Sequence, residues 1–126
     1  MIRKILVIDD EEAIREVTKV TLELFAGWAI TVAGSGPEGI TLAAANRPDA
    51  ILLDVMMPDM DGPRTLAGLK ASKATERIPV LFLTAKVQAT DLSRLRALGA
   101  KGVIAKPFDP ARLADEVAAA LGWKRG

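Results

Sequence analysis

The chain has 126 residues, half of them apolar, with 17 Lys and Arg against 16 Asp and Glu for a net charge of +1. That length and apolar content predict one domain with a full core, and no Lys/Arg run reads as a patch for a phosphate backbone. Cys and His are both absent, which excludes disulfides, zinc–cysteine sites, thiol catalysis, Ser-His-Asp chemistry and histidine as metal ligand or phosphoryl carrier.

Ile5-Leu6-Val7-Ile8 is a compact aliphatic run that predicts a buried strand stopping at Asp9-Asp10. That run is too short for a signal peptide, and no later apolar segment reaches membrane length, so the expected compartment is the cytoplasm, with no membrane contact. Glu11 and Glu12 suit the positive end of a helix dipole. Ile14, Val17, Thr21, Leu24 and Phe25 then recur at helical spacing as one expected core-facing stripe, which Gly27 ends. Trp28 to Ala33 reads as a second strand and Gly34-Ser35-Gly36 as a loop. Pro37 suits the first position of a second helix running through Ile40, Leu42 and the alanines to Asn46.

Ala50 to Leu53 is an uninterrupted apolar run of the kind buried on both faces of a parallel sheet, and it ends in Asp54. A carboxylate there is costly unless it opens into a cleft or meets a charged partner. Asp59 and Asp61 read as turn formers, with Asp61 capping a third helix that starts at Gly62-Pro63 and buries Leu66 and Leu69. Ile78 to Leu83 reads as a fourth strand, with Pro79 tolerable only at its start. Leu92, Leu95 and Leu98 mark a fourth helix ending at Gly99, and Gly102 to Ala105 a short fifth strand. Pro107 and Pro110 lead into a last helix with Leu113, Val117, Ala120 and Leu121 on one face. Strands alternating with helices predict an α/β fold, a parallel sheet covered on both faces.

The polar residues that interrupt this pattern share one kind of position. Asp9, Asp10, Asp54, Thr84 and Lys106 all stand at strand ends, and in an open parallel sheet those ends share the edge where ligands bind. Clustered carboxylates repel, and one lysine is too little to neutralise three. A divalent ion with oxygen ligands resolves this, and Mg²⁺ suits carboxylates, water and a phosphoryl oxygen. Asp54, single and on the central strand, is the candidate nucleophile; Asp9 and Asp10 are better placed as metal ligands. Thr84 is suited to donate to a bound phosphoryl oxygen and Lys106 to pair with it.

With Asp9-Asp10, Asp54 followed by Met57-Pro58-Asp59-Met60-Asp61-Gly62, Leu83-Thr84-Ala85, and Lys106-Pro107-Phe108 after Gly99-Ala100, the chain resembles the receiver domain of two-component response regulators, the CheY-like family. The resemblance spans nearly the whole chain. It implies a doubly wound flavodoxin-like (βα)5 sandwich with strand order 2-1-3-4-5, a receiver over residues 1–122 and a short tail over 123–126 with no output domain. It implies Asp54 as phosphoacceptor and a Mg²⁺ (or Mn²⁺) site in which Asp10 is the principal ligand, Asp9 acts largely through water, and the Met56 backbone carbonyl completes the set. Thr84 would move onto the aspartyl phosphate, Lys106 would pair with it, and the Lys106–Pro107 peptide would be cis. The implied partners are a sensor histidine kinase or histidine phosphotransfer protein. A downstream effector would bind the face of the fourth helix, fifth strand and fifth helix, with no direct nucleic-acid contact and a monomer or phosphorylation-dependent dimer. The chain would be no enzyme beyond Mg²⁺-dependent self-phosphorylation from small donors and self-dephosphorylation.

Two departures from the family pattern stand out. Val103 occupies the position three before the lysine where many receivers carry Tyr or Phe, which excludes a rotating aromatic as the relay. Met56 and Lys86, two after Asp54 and Thr84, occupy positions that influence phosphoryl lifetime in the family, and small Ala85 leaves the site accessible. Two other readings compete with this one. A phosphorylation-independent pseudo-receiver is opposed by the intact acidic pair, Thr84 and Lys106. An aspartate-nucleophile phosphatase is opposed by Met56, which cannot transfer a proton where such enzymes carry a second aspartate.

Overall fold

In a computed structural model, residues 2–85 and 88–124 are described. Five strands and five helices alternate: β1 (Lys4–Ile8), α1 (Glu12–Ala26), β2 (Ala29–Ala33), α2 (Gly36–Asn46), β3 (Ala50–Asp54), α3 (Gly62–Lys70), β4 (Val80–Thr84), α4 (Ala89–Ala97), β5 (Gly102–Ala105) and α5 (Pro110–Leu121). All strand pairs are parallel and the order is β2-β1-β3-β4-β5. The α/β expectation, the alternation and the order implied by the family resemblance all hold. No helix among the described residues is long and apolar enough to cross a membrane.

Strand alternation sorts the core into two layers. Ile5 and Val7, Leu52, Leu81 and Leu83, and Ile104 face Leu22 of α1 and Leu113 and Val117 of α5. Leu6 and Ile8, Ile51 and Leu53, and Val80 and Phe82 face Ala43, Leu66, Leu69 and Leu95 from α2, α3 and α4. Because both faces are covered, β1, β3 and β4 are buried almost throughout, which is why they read as unbroken apolar runs. The chain leaves β1 toward β2 and returns across it to β3. The order therefore reverses between β1 and β3, and a crevice opens there at the carboxyl edge.

Several elements differ in detail from expectation. On α1 the buried residues are Thr18, Thr21 and Leu22, with Ile14 half-buried. Val17, Leu24 and Phe25 are instead substantially exposed, Leu24 at 75%. Thr21 is buried as expected, but the face is rotated to take in Thr18 and Leu22; the Thr18 hydroxyl donates to the Ile14 carbonyl at 2.7 Å and so enters the core satisfied. On α4 only Leu95 is buried and Leu98 is exposed, and the helix stops at Ala97 rather than at Gly99. β4 starts at Val80, two residues later than Ile78, although the Pro79 carbonyl already accepts from Ile51 N–H at 3.0 Å. β2 begins at Ala29, and α2 at Gly36 because Ser35 caps it by accepting from Glu38 N–H. Trp123, expected in a tail, packs edge-on against Trp28 at 5.5 Å with the Arg3 guanidinium over its ring. Arg125 and Gly126 lie outside the described residues.

Gly62, at the start of α3, lets the chain double back closely over the end of β3. A Cβ there would lie 2.6 Å from the Asp54 carbonyl oxygen and 2.8 Å from Val55 Cα. Those are backbone atoms, which cannot swing aside as a side chain can. Gly62→Ala is therefore expected to lower unfolding free energy by about 1–3 kcal/mol, the cost typical of overpacking. Urea denaturation checks this; an unchanged midpoint would show that the loop yields freely.

Candidate functional site

Asp9, Asp10, Asp54 and Lys106 meet in one crevice, and Thr84 ends the neighbouring strand β4. Asp9 follows β1 directly and is fully buried; Asp54 is the last residue of β3 and is 4% exposed; Thr84 is the last of β4 and equally enclosed; Lys106 follows β5. The carboxylates of Asp9, Asp10 and Asp54 offer oxygens that all lie within 4.8 Å of one another. Lys106 Nζ donates to Asp9 Oδ2 at 2.7 Å and to Asp54 Oδ1 at 3.0 Å. The Lys106–Pro107 peptide is cis, and Phe108 is half-buried against the core.

Local structure explains why these side chains are held. Asp9 N–H donates to the Ala33 carbonyl at 3.1 Å, which joins the β1–α1 turn to the end of β2. Asp9 Oδ1 accepts from Glu11 N–H at 3.0 Å, so Asp9 forms the turn into α1 as well as pairing with Lys106. Asp10 is exposed, and no hydrogen bond to its carboxylate is present among the described residues. After Asp54 the chain turns through Asp59, whose φ of 66° is left-handed. Asp61 then caps α3, its carboxylate accepting from Arg64 N–H at 2.9 Å. The roles of Asp59 and Asp61 as turn former and cap are therefore as expected. Met56 stands in this loop with its side chain exposed, so only its backbone is a candidate ligand. Val103 is half-buried on the α2–α3–α4 side of the sheet. Lys86 lies outside the described residues.

The electrostatics are unbalanced. Burial pushes Asp54 upward, and the charges of Asp9 and Asp10 add to this. The hydrogen bond and charge of Lys106 offset only part, leaving a pKa of about 6 against the ordinary 3.8. For Lys106 burial acts downward, but the hydrogen bonds to Asp9 and Asp54 and their charges outweigh it and hold the ammonium above its usual range. Three carboxylates around one ammonium form an all-oxygen donor set with excess negative charge, which fits a hard divalent cation such as Mg²⁺.

Two features of the neighbourhood were not read from the sequence. Arg15 Nη1 donates to the Asp9 carbonyl at 2.9 Å. An arginine in the opening turns of a helix, against the dipole, was the available signal. An apolar pocket of about 270 Å³ adjoins the site, lined by Ile14, Val17, Ala85, Pro107, Phe108 and Pro110 and bordered by Lys106.

A doubly wound parallel sheet with an acidic trio and a lysine at its carboxyl edge defines a narrow class of domain. The chain belongs to the response regulator receiver domain family, whose profile matches residues 5–118. It is 38% identical over 118 residues to the DNA-binding dual master transcriptional regulator RpaA of Synechocystis, covering 94% of this chain and 48% of that protein. Among solved structures, the chemotaxis response regulator CheY4 of Vibrio cholerae superposes with a TM-score of 0.88 at 30% identity, covering 95% of this chain and 99% of that one. The receiver domain of the sensor histidine kinase PA1611 from Pseudomonas aeruginosa, solved with a magnesium ion coordinated in its active site cleft, superposes with a TM-score of 0.84 at 27% identity, covering 97% and 99%. The chain spans about half the length of the curated relatives it matches.

The raised Asp54 pKa has a definite consequence for the metal-free protein. Between about pH 4 and pH 6 the folded state holds the Asp54 proton more tightly than the unfolded state, so stability falls as pH rises through that window and levels off above it. Asp54→Asn removes this term. It is expected to raise stability at pH 7 in EDTA by about 1–3 kcal/mol, with the gain shrinking as pH falls toward 4. Thermal melts across that range measure it; an equal or lower melting temperature for Asp54→Asn at pH 7 would contradict the electrostatic reading.

Proposed function

We propose that Asp54 accepts a phosphoryl group from a phosphohistidine on a sensor histidine kinase or histidine phosphotransfer protein, and that the new charge switches a protein-binding surface. The observation that carries this reading is the buried Asp54 carboxylate, held at a crevice edge beside Asp9, Asp10 and Lys106. One Asp54 oxygen attacks phosphorus, the P–N bond to the donor imidazole breaks, and the imidazole leaves with the bond's electron pair. In this reading Asp9, Asp10, Asp54 and the Met56 backbone carbonyl hold Mg²⁺ (or Mn²⁺). When bound, that ion supplies positive charge that offsets the charge on the incoming phosphoryl oxygens.

The chain's own groups have separable parts. Lys106 orients Asp54 through the 3.0 Å hydrogen bond and presents its ammonium to the phosphoryl oxygens. Thr84, at the end of the neighbouring strand, donates its hydroxyl to the same group. The effector side of the switch is the α4–β5–α5 face. Charge added at Asp54 acts on it through Thr84 and Lys106, with Val103 supplying bulk rather than a rotating ring. The domain acts as a phosphoacceptor and not as a turnover phosphatase, since exposed Met56 brings no proton to the position where an acid is needed. Its contacts are with protein partners in the cytoplasm, as a monomer or a dimer formed on phosphorylation. The near-neutral charge of the chain supports partners other than DNA for these residues.

Incubation with labelled acetyl phosphate and Mg²⁺ is expected to label the protein on an acyl phosphate that mild base removes. Asp54→Asn should take up no label, and EDTA should abolish uptake by the native chain. Label persisting on Asp54→Asn would refute the assignment.

A further inference from the structure

We propose that Arg15 is a positioning residue for the divalent cation, acting through Asp9 and not through its own charge. This rests on reading the acidic cluster as a cation site. Every polar atom of Asp9 is engaged. Its N–H donates to Ala33, Oδ1 accepts from Glu11 and Oδ2 from Lys106, and its carbonyl accepts from Arg15 Nη1 at 2.9 Å. The first three partners hold the side chain and the strand end. Among the described residues Arg15 alone holds the Asp9 carbonyl, which belongs to the peptide unit leading directly into Asp10. The orientation of that peptide decides where the Asp10 carboxylate points, and nothing else among the described residues holds that carboxylate.

A second observation shows that the Arg15 side chain is seated. Its guanidinium covers Gly34 in the loop after β2, where an added Cβ would lie 3.2 Å from Nη1 and 3.6 Å from Cζ. Gly34 is itself fixed, its N–H donating to Glu38 Oε1 at 2.6 Å. Arg15 therefore braces the Asp9–Asp10 peptide against the β2–α2 loop. Partners of this kind, one bond removed from the ligands, commonly affect metal affinity by about 10-fold or more.

Charge and positioning predict opposite signs. A guanidinium hydrogen-bonded to the Asp9 backbone repels a cation held by the neighbouring carboxylates, so removing its charge alone would tighten cation binding. Removing its hydrogen bond frees Asp10 and weakens binding. The test is Mn²⁺ affinity, read by electron paramagnetic resonance of free Mn²⁺, for the wild-type chain, Arg15→Met and Arg15→Lys, with thermal melts on each. The expected result is about 10-fold weaker binding in Arg15→Met, with affinity largely restored in Arg15→Lys, which keeps a donor of similar reach. Unchanged or tighter binding in Arg15→Met would overturn the proposal, as would equal losses in both variants that track their melting temperatures. A wild-type chain that binds no Mn²⁺ would remove the cation site itself; weak binding confined to Arg15→Met would leave that site standing and support the role given to Arg15.

Discussion

A single ammonium stands between two buried carboxylates at the point where the sheet's strand order reverses. Lys106 Nζ reaches Asp9 at 2.7 Å and Asp54 at 3.0 Å, and Asp10 completes a trio that one positive charge cannot balance. Ordinary burial of carboxylates is tolerated when the charges pair off. Here they do not: burial, with the charges of Asp9 and Asp10 added and Lys106 offsetting only part, pushes the Asp54 pKa up to about 6. The fold thus carries an unfavourable electrostatic term that a divalent cation would relieve. Such an imbalance in a cleft is what a binding site for cation and phosphoryl group requires.

The rest of the molecule serves to hold that imbalance in place. Covering both faces of the sheet with helices buries β1, β3 and β4, so the strand ends carrying Asp9, Asp54 and Thr84 have little freedom. The return path from β3 is equally tight. A Cβ at Gly62 would meet the Asp54 carbonyl oxygen, and the Gly62 N–H donates to the Val55 carbonyl at 2.9 Å. At the opposite edge, Arg3, Trp28 and Trp123 lock the end of α5 to the amino ends of β1 and β2. The two tryptophans therefore sit at the far edge from the acidic trio, and a cation titration is better followed at the metal than by their fluorescence.

Much of this is legible in the residues. Unbroken aliphatic runs identify strands buried on both faces, and acids or a lysine ending such runs must emerge at one edge, where Asp9, Asp10, Asp54 and Lys106 meet. What the chain does not disclose is rotation and reach. On α1 the buried face takes in Thr18, whose hydroxyl bonds the preceding turn, beside the expected Thr21, leaving Val17 and Leu24 exposed. Leu98 continues the helical spacing of Leu92 and Leu95, yet α4 ends at Ala97 and Leu98 is exposed. The Arg15 contact is not legible in the residues because its partner is the Asp9 backbone carbonyl, and a backbone acceptor has no sequence signature. The cap at Ser35 was hidden for a similar reason, in a glycine-flanked segment that reads simply as loop.

If burial and unbalanced negative charge at the crevice are what a divalent cation would relieve, melting curves with and without excess Mg²⁺ at pH 7 and pH 5 will show it. Binding to the folded state alone adds about 2.7 kcal/mol at a hundredfold excess over the dissociation constant. A rise of several degrees is expected at pH 7, a smaller one at pH 5 where a proton on Asp54 competes, and most of the rise should be gone in Asp54→Asn. A melting temperature indifferent to Mg²⁺ at both pH values would contradict it.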